Sequence, residues 1–351
     1  MKPLIIGDLI AKVPIIQGGM GVGVSRSSLA SAVASCGAIG VISGAQVGYD
    51  EDDFEINPLK ANLRALKKHI LKAKESSKGG IIGVNLMVAM NYYEEHVRTC
   101  IESGVDLIIS GAGLPTALPK LVKDSSVKIA PIVSTSKALS VILKMWDRKN
   151  NVTADMIVVE GPKAGGHLGY HNEELENIAS IDYDSEFLKI LDIAKNYGDK
   201  FNRHIPVIAA GGIFTGDDVK KYIDMGASGV QVGTKFVATH ECDASYNFKM
   251  TYVNADEKDI KIVKSPVGMP GRAIENKFIK SVSNDKVKIT KCYNCLIPCN
   301  PSSTPYCISK ALIDAVRGDT ENGLLFCGSN AYKIDKLKSV SEVINELTSK
   351  L

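Results

Sequence analysis

The chain has 351 residues, of which 45% are hydrophobic, and this is enough to bury a large core. Its formal net charge of +3 is small for this length, so charge gives no argument for binding nucleic acid or an anionic membrane. Asp8 and Lys12 interrupt the apolar N-terminal stretch, and no apolar run approaches the roughly 20 residues that cross a bilayer. We therefore expect a cytoplasmic protein, whose eight cysteines are thiols or metal ligands rather than disulfides.

Eight short apolar segments are predicted to be β-strands. Each ends in glycine or a small polar residue, and most are rich in Val and Ile, as is typical of parallel strands covered on both faces. The predicted strands are residues 14–20, 38–44, 81–87, 107–111, 129–134, 156–161, 207–212 and 229–234. Helical patterns cover residues 27–35, 62–76, 92–103, 137–147, 185–197 and 217–225. Eight strand–helix repeats predict an α/β protein with a (β/α)8 TIM barrel; six or seven strands would also fit an open doubly wound sheet.

Two segments lie outside this repeating pattern. Residues 45–61 form a polar, acidic insertion after the second strand. Residues 235–351 are too long to be only the closing helix of a barrel. We therefore predict a barrel domain in residues 1–240 and a C-terminal lid or extension in residues 241–351, which carries a cluster of cysteines.

The segment 156–169 joins an apolar strand to a glycine-rich turn that contains one histidine. Gly165 and Gly166 let the backbone approach a ligand without a Cβ in the way, and His167 can exchange protons near neutral pH. Glu160, at the end of the strand, is placed to accept a hydrogen bond from a cofactor or to orient the histidine. These features predict a place where a flat cofactor meets a substrate; the simpler interpretation is a turn with a surface histidine.

The seventh and eighth predicted strands end in glycine-rich turns. Phosphate is often held after these two strands of a barrel, at the carboxyl end where active sites lie. Gly211 and Gly212 end the seventh strand, whereas the eighth contains Gln231 and ends in Gly233 and Thr234. Unobstructed backbone N–H groups near a helix N-terminus suit a phosphate dianion, so the two turns together predict a phosphate site.

Other strand ends supply further candidate contacts. Gly19 and Met20 end the first strand and expose backbone groups to a flat ring. The amide of Asn85 suits the polar edge of a flavin, although an asparagine that stabilises a turn is an alternative interpretation. Asp217, after the seventh strand, is expected to cap its helix rather than to contact phosphate, because its charge would repel the anion.

Four cysteines, Cys292, Cys295, Cys299 and Cys307, fall close together near the C-terminus. A C-x2-C turn lets two thiolates hold one ion, and two further cysteines would complete a tetrahedral set. The segment therefore predicts a site for zinc or an iron–sulfur cluster. Its spacing matches no standard zinc finger or ferredoxin sequence, and a group of free or redox-reactive thiols is the alternative.

Taken as a set, the motifs resemble those of the FMN-dependent nitronate monooxygenases, formerly called 2-nitropropane dioxygenases, and of the related type II enoyl-acyl carrier protein reductases. They are P-I-I-Q-G-G-M at 14–20, G-V-N at 83–85, E-G and A-G-G-H within 160–167, A-A-G-G-I at 209–213 and Q-V-G-T at 231–234. The resemblance implies a TIM barrel, an FMN cofactor and His167 in the catalytic position. The predicted cofactor-binding residues are Gly19, Met20, Asn85, Glu160, Gly165, Gly166, Gly211, Gly212, Gln231, Gly233 and Thr234.

The resemblance leaves two activities open. The first is a nitronate monooxygenase that oxidises alkyl nitronates with O2, in which His167 is the catalytic base toward a neutral nitroalkane or steadies the anionic nitro group. Both tasks call for a histidine pKa near the working pH. The alternative is an NAD(P)H-dependent enoyl-acyl carrier protein reductase, in which His167 polarises or protonates the product enolate. Glu at position 160 is usual among the reductases, whereas A-G-G-H at 164–167 favours the monooxygenases.

The sequence also allows predictions about binding partners, other classes of protein and two basic residues. We expect a small-molecule substrate, NAD(P)H in the reductase alternative and a homodimer, with no nucleic acid or membrane partner. A barrel of the inosine-monophosphate-dehydrogenase kind is set aside, because it needs a catalytic cysteine where this chain has His167. A ligand sensor that kept the barrel is the non-enzymatic alternative. Lys163 is a candidate for attracting anions, and Arg272 is expected to be a surface residue rather than a contact to an anion.

Overall fold

The computed structural model of the chain describes residues 1–284 and 286–351. The strands are β1 Leu4–Ile6, β2 Leu9–Ala11, β3 Ile15–Gln17, β4 Ile39–Ser43, β5 Ile81–Met87, β6 Leu107–Gly111, β7 Lys128–Val133, β8 Ile157–Glu160, β9 Gly166–His167, β10 Val207–Ala210, β11 Gly229–Val232, β12 Ile260–Lys264 and β13 Pro270–Ile274. The α-helices are α1 Ser27–Ser35, α2 Pro58–Ser76, α3 Tyr93–Glu102, α4 Leu118–Val122, α5 Ser136–Asn150, α6 Asn172–Glu176, α7 Tyr183–Lys200, α8 Gly216–Asp224, α9 Thr234–Val237, α10 Tyr246–Val253, α11 Lys277–Asn284, α12 Ile308–Arg317 and α13 Val340–Thr348.

Eight parallel strands close into a barrel in the order β3, β4, β5, β6, β7, β8, β10 and β11. The ring is completed where β11 pairs with β3, with Val232 opposite Gln17. All eight predicted strands are present, and the closed ring rules out the open doubly wound sheet. The prediction of a TIM barrel is therefore confirmed, and the carboxyl ends of all eight strands meet at one mouth.

Apolar side chains pack on both faces of the barrel strands. Ile16, Ile39, Leu107, Val158 and Ile208 are buried inside the ring of strands. A second and larger cluster lies between the strands and the surrounding helices. Because branched residues on both faces of each strand are buried in this way, the strands appear in the sequence as continuous apolar runs.

The hairpin of β1 and β2 covers the amino-terminal end of the barrel. Leu4 and Ile6 join the same apolar cluster as the barrel interior. The adjoining turn lies against Lys128, the first residue of β7, whose ammonium group pairs with Asp8 at 2.5 Å. The opposite end, where the strands finish, is thus the one left for a site.

The last helix of the chain, and not the segment directly after β11, completes the outer layer of helices around the barrel. Helix α13 packs against both α8 and α1. The chain leaves the barrel after α9, forms α10, β12, β13, α11 and α12, and then returns. Strand β13 pairs antiparallel with β9, so this excursion joins the barrel at the glycine-rich turn. The division of the chain into domains at residue 240 stays a prediction.

Within the described ranges 1–284 and 286–351, no helix is both long and apolar enough to span a bilayer.

Candidate active site

A cavity of about 720 Å³ lies where the barrel strands end, and all twelve predicted site residues line it. Besides His167, these are Gly19, Met20, Asn85, Glu160, Gly165, Gly166, Gly211, Gly212, Gln231, Gly233 and Thr234. They come from five strand ends that are far apart in the sequence. The closed barrel brings them together, because parallel strands all end at the same mouth.

The turn after β10 needs glycine at two successive positions. Gly211 and Gly212 have φ of +93° and +83°, in the left-handed region that side chains disfavour. A Cβ at Gly212 would also lie 2.7 Å from the Cβ of Lys163. Among the described residues, the N–H groups of Gly212 and Gly233 donate to no partner. These two free donors, in the turns after the neighbouring strands β10 and β11, form a concavity suited to an anion.

The helix after this turn is capped differently from the sequence prediction. Thr215, and not Asp217, is the N-cap residue of α8, and it forms a capping box with Asp218. The Asp218 carboxylate accepts the N–H groups of Phe214 and Thr215 at 3.0 Å and 2.8 Å. The prediction that Asp217 caps the helix is therefore wrong, because Asp217 already lies in the first turn, whereas the Thr215 hydroxyl precedes the helix and accepts the Asp218 N–H at 3.2 Å.

The walls of the cavity near β3, β5 and β11 carry amide groups. A Cβ at Gly19 would lie 2.4 Å from the Cβ of Asn85, so only glycine fits there. The Asn85 Nδ2 donates to the Ile109 carbonyl at 3.3 Å, and no donor in the described part of the chain reaches its Oδ1. The Gln231 Oε1 is buried and has no hydrogen-bond partner among residues 1–284 and 286–351. A buried acceptor without a donor is costly, so this oxygen calls for a ligand N–H or O–H.

Glu160 is protonated at neutral pH. Burial raises the pKa of its carboxyl to about 8, and the nearby Arg272 guanidinium opposes this shift only in part. Arg272 itself is 3% exposed, so the prediction of a surface arginine is wrong. Its guanidinium donates to the carbonyl oxygens of Ala164 and Pro162. It thus holds the glycine-rich turn in place, and none of these bonds reaches toward an anion.

His167 is held by three contacts from the C-terminal excursion. Its backbone pairs with Gly271 of β13, and its Nε2 lies 2.6 Å from the Oγ of Ser265. The ring meets the Phe326 ring edge-on, with centroids 5.0 Å apart. Burial lowers the pKa of the imidazole to about 4, so His167 is neutral near pH 7 and does not titrate there as the sequence suggests.

The family model for nitronate monooxygenase matches residues 2–350. The chain belongs to the nitronate monooxygenase family. A probable nitronate monooxygenase of Staphylococcus saprophyticus is 27% identical over 302 residues and 80% of each chain is covered. FabK from Thermotoga maritima has a TM-score of 0.71 at 25% identity, covering 97% of this chain and 93% of that one. Nitroalkane oxidase from Streptomyces ansochromogenes has the same fold, with a TM-score of 0.73 at 19% identity and coverage of 97% and 95%.

Members of the nitronate monooxygenase family are FMN-dependent oxidoreductases, and this chain is an enzyme of that class. The resemblance read from the sequence motifs is thereby confirmed. The contacts that each predicted residue makes to the cofactor stay predictions. His171 is exposed before α6, and Lys163 is exposed at the cavity wall, where it was predicted to attract anions.

The sequence analysis did not identify one segment that contributes to the candidate site of this nitronate monooxygenase family member. Residues 326–330 fold back from the excursion onto the turns that follow β10 and β11. The N–H of Gly328 donates to Thr234 Oγ1 at 2.8 Å, and Asn330 Nδ2 donates to the Gly212 carbonyl at 2.6 Å. The sequence offered only a weak signal for this role, a Gly-Ser-Asn turn beside Cys327.

The four clustered cysteines are not arranged as a metal site. Cys292 is exposed, whereas Cys295, Cys299 and Cys307 are half-buried. Burial is the largest cause that raises the pKa of each of these three thiols, and the nearby Cys292 raises it further. Over residues 1–284 and 286–351, no three His, Cys, Asp or Glu side chains are grouped so that they could hold a metal ion. The prediction of zinc or an iron–sulfur cluster therefore has no support in the structure. Cys292 and Cys295 nevertheless line the cavity.

Glu160 makes folding stability depend on pH. Its pKa is about 8 in the folded chain against an ordinary value of 4.5, so between these values only the folded state keeps the proton. Stability contributed by this group therefore falls as the pH rises through that range. We expect Glu160→Gln, measured without flavin, to gain unfolding temperature relative to the parent chain between about pH 5 and about pH 8.

The exposed Glu173→Gln on α6 is the control and should show no such trend. If the Glu160→Gln difference stays constant over this pH range, then Glu160 is ionised in the folded chain and the assignment of a protonated carboxyl fails.

Proposed function

We propose that the chain binds FMN at the mouth of the barrel and oxidises alkyl nitronates with O2. The observation that carries this proposal is the neutral, firmly held His167 beside a bare-backbone anion cradle in one cavity. Membership of the nitronate monooxygenase family supports it. The flavin, when bound, supplies the redox step, and the protein supplies position and electrostatics.

The residues of the cavity fit FMN. The free N–H groups of Gly212 and Gly233 would receive the phosphate. The unpartnered Gln231 Oε1 and the free Oδ1 of Asn85 would accept hydrogen bonds from the polar edge of the ring. A protonated Glu160 can donate a hydrogen bond, which an ionised carboxylate could not do.

The low pKa of His167 favours a nitronate over a neutral nitroalkane as the substrate. A nitronate has already lost its α-proton and carries negative charge on the nitro oxygens, so it needs a hydrogen-bond donor. A neutral imidazole has one N–H to donate. Removing the α-proton of a nitroalkane would need a base with a pKa nearer 7, whereas that of His167 is about 4. The role of His167 as catalytic base stays a prediction.

Reduction of an enoyl thioester with NAD(P)H is the second candidate. The similarity to FabK supports it, as does the glutamate at position 160. In this reaction His167 would donate a hydrogen bond to the enolate oxygen that forms. The use of NAD(P)H and the homodimer remain predictions.

Anaerobic mixing separates the two activities. The purified flavoprotein is mixed with an alkyl nitronate or, separately, with NADH and NADPH, and the flavin absorbance is followed. We expect bleaching by the nitronate and recovery when oxygen is admitted. Bleaching by a nicotinamide alone would overturn the proposal in favour of the reductase, with enoyl thioesters as the next acceptors. A flavoprotein that reacts with neither would favour a ligand sensor.

His167→Ala tests the role of the imidazole. We expect the variant to retain FMN and to lose roughly 10²-fold to 10³-fold in kcat with a nitronate, because one hydrogen-bond donor to developing charge is removed. The exposed His171→Ala is the control and should leave kcat unchanged. Unchanged turnover in His167→Ala would remove the histidine from the mechanism.

Gly212→Val tests the phosphate site. A side chain at φ +83° and 2.7 Å from Lys163 would distort the turn. We expect the Kd for FMN to rise by roughly 100-fold or more, which is about 2.7 kcal/mol. Riboflavin, which lacks the phosphate, should lose far less affinity and so controls for misfolding. An equal loss for both flavins, or an FMN-replete variant, would place the phosphate elsewhere.

A further inference from the structure

We propose that Ser265 is a positioning residue that fixes the neutral tautomer of His167, with the proton on Nδ1. The ring then meets its ligand as a hydrogen-bond donor. The functional part of this inference rests on the proposed function, in which His167 faces an anionic substrate. The tautomer itself depends only on the geometry around the two side chains.

Ser265 sits behind the histidine, outside the cavity. It directly follows β12 and is 9% exposed, and it is not among the residues that line the cavity. Its Oγ lies 2.6 Å from His167 Nε2. The same hairpin holds the histidine backbone, since β13 places Gly271 opposite His167. One element therefore fixes both the backbone and the ring.

The hydrogen bonds around Ser265 Oγ decide which atom carries the proton. The N–H of Val267 points to this oxygen at 3.4 Å, which uses one of its acceptor positions. Among the described residues, His167 Nε2 is the one acceptor within reach of the hydroxyl proton. The hydroxyl therefore donates to Nε2. A neutral imidazole that accepts at Nε2 carries its proton on Nδ1.

The other ring nitrogen is left for a ligand. Among the described residues, no group forms a hydrogen bond with His167 Nδ1. This nitrogen is also absent from the set of fully buried polar atoms without a partner, so part of its surface is exposed. It is therefore accessible and can donate to an anionic oxygen. To act as a base at Nδ1, His167 would need the opposite tautomer, with its proton on Nε2. The buried Ser265 hydroxyl would then have no acceptor for its proton, which is unfavourable. Ser265 thereby favours the anionic nitronate over the neutral nitroalkane.

Nitrogen NMR of the chain labelled with ¹⁵N-histidine reads the tautomer directly. We expect the His167 resonances, assigned by their loss in His167→Gln, to show a protonated Nδ1 and an unprotonated Nε2. Ser265→Ala should yield a mixture or the opposite tautomer, and Ser265→Thr, which keeps the hydroxyl, should restore the original. A proton on Nε2 in the parent chain, or an unchanged tautomer in Ser265→Ala, overturns the proposal.

Kinetics with a nitronate test the consequence. We expect Ser265→Ala to lower kcat by roughly tenfold with little change in KM or in the Kd for FMN, and Ser265→Thr to recover most of the loss. Ser31→Ala is the matched control, because Ser31 is also 9% exposed and donates one side-chain hydrogen bond, but lies on α1. A changed tautomer without loss of kcat would overturn the functional part.

The NMR experiment also works on the flavin-free chain. A parent chain with the Nδ1 proton but no nitronate turnover would therefore refute the proposed function while it supports the role of Ser265.

Discussion

The pairing of β13 with β9 is the contact on which the candidate site depends. Through it, a hairpin from the C-terminal excursion holds the turn that carries His167. Gly166 has φ of +75°, and a Cβ at Gly165 would lie 2.5 Å from the backbone of Cys327, so the turn admits only glycine there. Arg272, one residue along β13, fixes the same turn through two carbonyl groups. The barrel and the excursion therefore build one site together.

Burial sets the charge of this site. It raises the pKa of Glu160 and lowers that of His167, so both groups are neutral near pH 7. Of the lysine and arginine side chains in the described part of the chain, Lys163 alone lines the cavity. The mouth thus carries a positive charge and free N–H donors, and Glu160, the one carboxyl among the described residues that line it, is protonated. Such a balance suits ligands that bring their own negative charge, as a phosphate or a nitronate does.

The cysteine segment distinguishes this chain from a plain barrel. It lies against the cavity, and the Asn91 side chain anchors it through hydrogen bonds to Asn294. The thiols are close enough to influence one another's pKa, although they do not form a metal site among the described residues. A C-x2-C pattern fixes the spacing of two sulfurs along the chain, but the loop conformation decides where they point, and sequence spacing does not encode that.

The sequence by itself determined the barrel and the residues at its mouth. Continuous Val- and Ile-rich runs mark buried parallel strands, and every such strand ends at the same mouth, so strand-end residues such as Asn85 and Gly212 could be assigned to one cavity. Only the tertiary structure decided what surrounds His167. Ser265 lies 98 residues from it along the chain, and Asn330 lies 118 residues from Gly212. Contacts of that range, and the burial that shifts each pKa, leave no periodic or local pattern in a single sequence.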